Sequence, residues 1–112
     1  MAKPLERSYS RYTVEAVSLL GQLIRLARIE KGMTAQGLAD RAGISRGLLQ
    51  RIEKGDPRCE LGAALELATI LGIPLFASDA EGLQQQGRQV SEKLALLPRA
   101  VHPKAPVVND DF

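Results

Sequence analysis

The sequence has 112 residues, 45% of them hydrophobic but only 4% aromatic and none tryptophan. That is room for one domain with an aliphatic core, which suits packed helices better than a β-sandwich. One cysteine, Cys59, and one histidine, His102, exclude a disulfide framework and an ordinary zinc site. No apolar run approaches the ~18 residues of a membrane span, and the first residues lack the apolar stretch of a secretory signal, so a cytoplasmic location is expected. The formal net charge of +2 divides unevenly: residues 1–58 carry 11 Lys/Arg against 6 Asp/Glu, and residues 59–112 carry 4 against 7. A basic front half is suited to phosphate and an acidic back half to something else.

In chain order, residues 1–12 read as a basic arm with Arg7, Tyr9, Arg11 and Tyr12. The pattern predicts a first helix over 14–30, capped by Thr13, with Leu20, Leu23/Ile24 and Ala27 on the apolar face and Lys31-Gly32 as its end. Thr34 opens a short second helix to Ala42, stopped by Gly43, and Ser45 opens a third to Lys54, stopped by Gly55. Both starts place an apolar residue before the cap and another four positions after it: Met33 with Leu38, and Ile44 with Leu49. That is the spacing of a hydrophobic staple, which fixes the angle at which chain enters helix.

A fourth helix is expected over 60–71, with Leu61, Leu65, Ala68 and Leu71 on one face and Gly72 as its stop. Ile73-Pro74-Leu75-Phe76 reads as a connector packing back onto the bundle. A last helix over 80–97 carries a stripe of Leu83, Val90, Leu94 and Leu97, and residues 98–112, with three prolines and no periodicity, read as a disordered tail. The domains expected are therefore the arm 1–12, a helical unit 13–76, a C-terminal helix 77–97 and the tail 98–112.

The second and third helices carry the function. A turn of Gly43-Ile44 is too tight for antiparallel packing and sets the two at a steep angle, with Leu38, Ala39, Ile44, Leu49 and Ile52 facing inward. The opposite face of the third helix presents Ser45, Arg46, Gly47, Gln50, Arg51 and Lys54, side chains that can bond bases and phosphates, on a cylinder that fits the major groove. An enzyme fits poorly: Gly43-Ile44-Ser45-Arg46-Gly47 lacks the lysine and spacing of a phosphate loop, and the one histidine lies in the tail. Cys59 reads as a small, partly buried apolar residue, and no cofactor is implied.

The run from Met33 to Gly55 resembles the lambda-repressor and Cro type of helix-turn-helix, the XRE family. The matching residues are Leu38-Ala39, Gly43-Ile44-Ser45, Leu49 and Ile52-Glu53 with Gly55. Ile24-Arg25 and Arg28 extend the match into the first helix, and Leu65, Ala68 and Leu71-Gly72 into the fourth, so that it covers about 17–76. The resemblance implies an all-α bundle of four to five helices and a dimeric repressor on double-stranded operator DNA with inverted-repeat symmetry. It places base reading on Ser45, Arg46, Gly47, Gln50 and Arg51. Phosphate contacts fall on Lys54 and Arg58 and on the start of the second helix at Thr34 and Gln36. The family often has glutamine directly after that cap, whereas Ala35 stands there in this chain and Gln36 follows. Arg28 and Arg41 read as surface or ion-pair residues.

A narrower resemblance, to HipB-type antitoxins, rests on Arg11-Tyr12-Thr13, Asp56-Pro57-Arg58, Pro74-Leu75-Phe76 and the acidic end Asp110-Asp111-Phe112. It implies an autoregulating repressor that also binds a HipA-like serine/threonine kinase toxin. Residues from about 80 onward would serve dimerisation, and Asp110, Asp111 and Phe112 would meet the toxin. A stand-alone repressor and a protein-binding inhibitor that does not use DNA are the alternatives. Polar residues at Arg46, Gln50 and Arg51 favour DNA over an apolar protein groove.

Overall fold

The computed structural model describes residues 8–76, 79–101 and 103. Five helices follow one another, and no strand occurs among the described residues: α1 (Arg11–Glu30), α2 (Ala35–Ala42), α3 (Arg46–Glu53), α4 (Leu61–Leu71) and α5 (Ala80–Ala95). The chain divides into two units, Met1–Leu75 and Phe76–Phe112.

In the first unit, Ile24 of α1, Leu38 of α2, Leu49 of α3 and Leu67 of α4 are fully buried, one large aliphatic side chain from each helix. Burial of each stabilises the bundle by ~2 kcal/mol, which makes these four the centre of the fold. Met33 and Ile44 pack partly buried against this core, as residues at the start of a stapled helix should. The Thr34 hydroxyl accepts the Gly37 N–H at 3.0 Å and the Ser45 hydroxyl accepts the Leu48 N–H at 3.0 Å, so both short helices start where their caps predict. Between them Gly43 adopts φ 69°, a left-handed conformation that side chains strain to reach, and Ala39 is wholly buried where α2 meets its neighbours.

Three expectations are corrected. The first helix begins at Arg11, capped by Ser10 rather than Thr13. The Ser10 hydroxyl accepts the Thr13 N–H at 3.3 Å, and Arg11 and Glu15 pair at 3.1 Å along the first turn. Arg11 and Tyr12 are therefore helical rather than part of an arm. On α4 the buried residues are Ala63, Ala64, Leu67, Ala68 and Leu71, while Leu61 is 71% exposed. Apolar residues surround that helix, so spacing alone could not choose the inward face. Of the connector, only Ile73 packs against the core; Leu75 and Phe76 are exposed.

In the second unit, α5 ends at Ala95, short of Leu97, and is capped by Asp79, whose carboxylate accepts the Gly82 N–H at 2.8 Å. None of its residues is buried. Phe76, Leu83, Gly87, Val90 and Lys93 line a groove of about 610 Å³. His102 and the expected partner residues Asp110, Asp111 and Phe112 lie outside the described residues.

Candidate nucleic-acid interface

The interface is built on α3. Its helical spacing turns Leu49 and Ile52 into the core and leaves Arg46, Gly47, Gln50, Arg51 and Lys54 exposed on the opposite side. None of Arg46, Gln50, Arg51 and Lys54 takes part in a side-chain hydrogen bond or salt bridge among the described residues. Three guanidinium or ammonium groups and an amide therefore face water on one short helix. Such a surface is stable only because water solvates it, and it is ready to exchange that water for phosphates and base edges.

Two features of the first unit aim this helix. Arg28 of α1 reaches Glu53 at the end of α3, with Nε donating to Oε2 at 2.8 Å and Nη2 to Oε1 at 3.1 Å. Nη1 donates to the Met33 carbonyl at 3.0 Å, so one guanidinium joins α1, α3 and the start of α2. The side chains are only 13% and 8% exposed, and the bonds to Glu53 raise the Arg28 pKa above the ordinary arginine value. The ion-pair expectation for Arg28 is thereby met. The second feature is Gly21, where a Cβ would collide with the Ile52 carbonyl oxygen and lie 2.8 Å from that of Glu53. Only glycine lets α1 lie this close to the last turn of α3.

Arg46, Gln50 and Lys54 converge with Arg25 of α1 and Ala35 of α2 around an open cleft of about 500 Å³. Arg25, which enters the sequence analysis only as part of the family match in the first helix, joins the site here. Its place there follows from helical phase, since it stands three residues before Arg28 on the flank of α1 that meets α3. Gly47 and Arg51 lie further round the same helix. A Cβ on Gly47 would meet only the Ser45 hydroxyl, at 4.0 Å, so nothing inside the protein requires glycine there.

The flanking positions differ from one another. The Thr34 and Ser45 hydroxyls spend a lone pair on their caps and keep a proton to donate. Gln36 donates from Nε2 to Asp40 Oδ1 at 2.8 Å, so its amide already lies along α2. Lys54 is the exposed C-cap of α3. Arg58 belongs to the loop beyond Gly55, where Asp56 Oδ1 accepts its N–H at 2.9 Å and its Nε at 3.5 Å. These bonds, the backbone one first, hold the Asp56 carboxyl below the usual carboxylate range. Cys59 follows, half-buried, with its thiol pKa pushed up by burial.

A family profile described as a helix-turn-helix domain matches residues 19–76. The chain belongs to the helix-turn-helix domain family. The matched span takes in the whole of α2, α3 and α4, and in this family the two short helices and the glycine turn form the DNA-binding element. The protein is thus a DNA-binding one. No curated protein matches the chain. Among the described residues, no helix is long and apolar enough to cross a membrane.

Proposed function

We propose that this protein is a sequence-specific transcriptional repressor of the XRE type, acting in the cytoplasm as a homodimer on an inverted-repeat operator. The observation that carries this reading is the exposed α3 face. Arg46 and Gln50 open its first two turns beside Arg25, with Lys54 behind them at its end. Arginine reads guanine O6 and N7 bidentately and glutamine reads adenine N6 and N7, each worth ~1–3 kcal/mol of discrimination. Arg25 and Lys54 at the margins, with Thr34 at the mouth of α2, are placed to grip the phosphates on either side. Ser45, Gly47 and Arg51 complete the base-facing set, and Arg58 and Gln36 the backbone-facing one.

Selection of bound duplexes from a randomised pool tests this. The expected product is an inverted repeat whose half-site centres lie about one helical turn, ~10 bp, apart. A pool that stays random after selection would mean that α3 grips backbone without reading sequence.

A second reading concerns α5, whose apolar stripe is exposed throughout and shares a groove with Phe76. A helix that buries nothing of its own stripe is suited to a protein partner. With the HipB-like features, this supports an antitoxin that binds a HipA-like serine/threonine kinase. Deleting residues 99–112 should weaken kinase binding and leave operator binding nearly intact; an unchanged kinase affinity would remove the tail from the reading.

A further inference from the structure

α1 is apolar on two sides. Its inward side holds Leu20, Ile24 and Ala27, and a second stripe, Tyr12, Ala16, Leu19, Leu23 and Leu26, faces solvent. Tyr12 is 81% exposed, Leu19 and Leu26 are each 55% exposed, and Leu23 is 39% exposed. These residues recur at alternating steps of four and three, the heptad spacing of a helix-pairing seam. The seam runs for roughly 21 Å at 1.5 Å per residue.

We propose that this seam is a self-association surface, on which a second copy of the chain seats its own α1 in antiparallel orientation. The proposal deepens the homodimer reading above, and rests on that reading only for its relation to DNA. The seam is complementary to itself when reversed. Leu19 meets the partner's Leu23, and Leu23 meets the partner's Leu19, so both central layers are leucine on leucine. Ala16 meets the partner's Leu26, small against large, as interdigitating layers require. At each end Tyr12 meets the partner's Glu30, a phenol that can donate to a carboxylate. Parallel pairing would set Glu30 against the partner's Glu30 and Ala16 against the partner's Ala16, a like-charge contact and a void.

α5 also carries a four-and-three stripe, but reversing it upon itself places Gly87 against Val90 in both central layers and leaves the middle thin. Its stripe is better suited to a partner that fills the gap at Gly87. The self-complementary seam therefore lies on α1, whereas the sequence reading placed dimerisation on the last helix.

A second copy on this seam leaves the DNA cleft open. At 100° per residue, Arg25 lies roughly 140° around α1 from the centre line of the seam. One helix buries less than the ~800 Å² per partner of a standard interface, so the expected dimer is a reversible one in the micromolar range.

Sedimentation of the full chain without DNA, over micromolar concentrations, tests the proposal. The wild-type chain should pass from monomer to dimer. The double variant Leu19→Glu/Leu26→Glu, at positions already half in water, should keep its helical circular dichroism and weaken self-association at least ~10-fold. Val90→Glu on α5 should leave it unchanged. In a Cys59→Ser background, Gln22→Cys, beside the two-fold axis of an antiparallel pair, should form an interchain disulfide, and Tyr12→Cys should not. A wild-type chain monomeric throughout overturns the proposal. So does loss of the dimer in Val90→Glu rather than in the α1 variant, or cross-linking through Tyr12→Cys. Operator recognition is read separately, on a duplex holding a single half-site, so its failure is distinguishable from failure of the seam.

Discussion

Breaking the Arg28–Glu53 pair, by replacing Glu53 with Ala, should do more damage than substituting any charged residue of the first unit outside that pair. The change removes two charge-assisted hydrogen bonds, at 2.8 and 3.1 Å, and leaves Arg28 only the Met33 carbonyl. Stranding a buried charge costs ~3–5 kcal/mol. Because 13% of the Arg28 side chain stays in water, the lower figure applies, about 3 kcal/mol. For a domain of this size each kcal/mol moves Tm by ~4–8 °C, so the midpoint should fall by roughly 12–24 °C. Arg28→Ala strands Glu53 instead and should cost a similar amount, whereas the double variant leaves no unpaired charge. A double-mutant cycle should therefore give a coupling of ~2 kcal/mol. Urea unfolding followed by circular dichroism measures it, and low and high salt should agree, since a buried pair is poorly screened. A cost under ~1 kcal/mol for Glu53→Ala, or additivity within ~0.5 kcal/mol, would refute the reasoning. The pair would then be a surface contact rather than the tie that orients α3.

Four further outcomes are expected. Gly21→Ala forces a methyl onto backbone carbonyls that cannot step aside, and should cost ~1–3 kcal/mol or more in chemical unfolding. Gly47→Ala meets open space and should stabilise the protein by ~0.5–1 kcal/mol; a fall in operator affinity alongside that gain would show the DNA backbone passing close to Gly47. In gel-shift titrations, Arg46→Ala or Arg51→Ala should cost ~1–3 kcal/mol and relax one base position, while Arg25→Ala, Lys54→Ala or Arg58→Ala should weaken all sequences alike and flatten the salt dependence. Uniform loss in all five would undo the division into readers and grippers. The Asp56 carboxyl has a folded pKa held below its unfolded value, so its ionised form stabilises the fold above the usual carboxylate pKa of ~4, and that contribution fades as pH falls through the lower folded value. The Tm difference between wild type and Asp56→Asn should accordingly shrink on acidification, and a difference that grows would contradict the hydrogen-bonded geometry.

Much of this protein is determined locally and is legible in the sequence. A hydroxyl cap, an apolar residue on either side of it and a glycine with positive φ act over a few residues, so α2, α3 and the turn between them follow directly from Thr34, Gly43 and Ser45. The exposed face of α3 follows in turn, because a short helix with two buried aliphatic positions has little choice of which side chains meet water. The boundaries that failed were also local, but they rested on competition. Ser10 and Thr13 are both good caps, and the Arg11–Glu15 pair favours the earlier start.

What only the tertiary structure decided depends on which surfaces meet. α4 is apolar nearly all round, so Leu67 rather than Leu61 became core through the positions of α1 and α2. Arg28 and Glu53 are 25 residues apart, and no periodicity links them; their pairing appears only when α1 crosses the end of α3. Gly21 looks like an unfavourable residue within a helix until the carbonyls of Ile52 and Glu53 occupy the place of its missing side chain. The sequence likewise shows that α1 is rich in leucine, but an amphipathic pattern reports apolar positions without saying which will be covered. Packing takes Ile24 and leaves Leu19 and Leu26 to water, because a helix can press only one side against a three-helix neighbourhood.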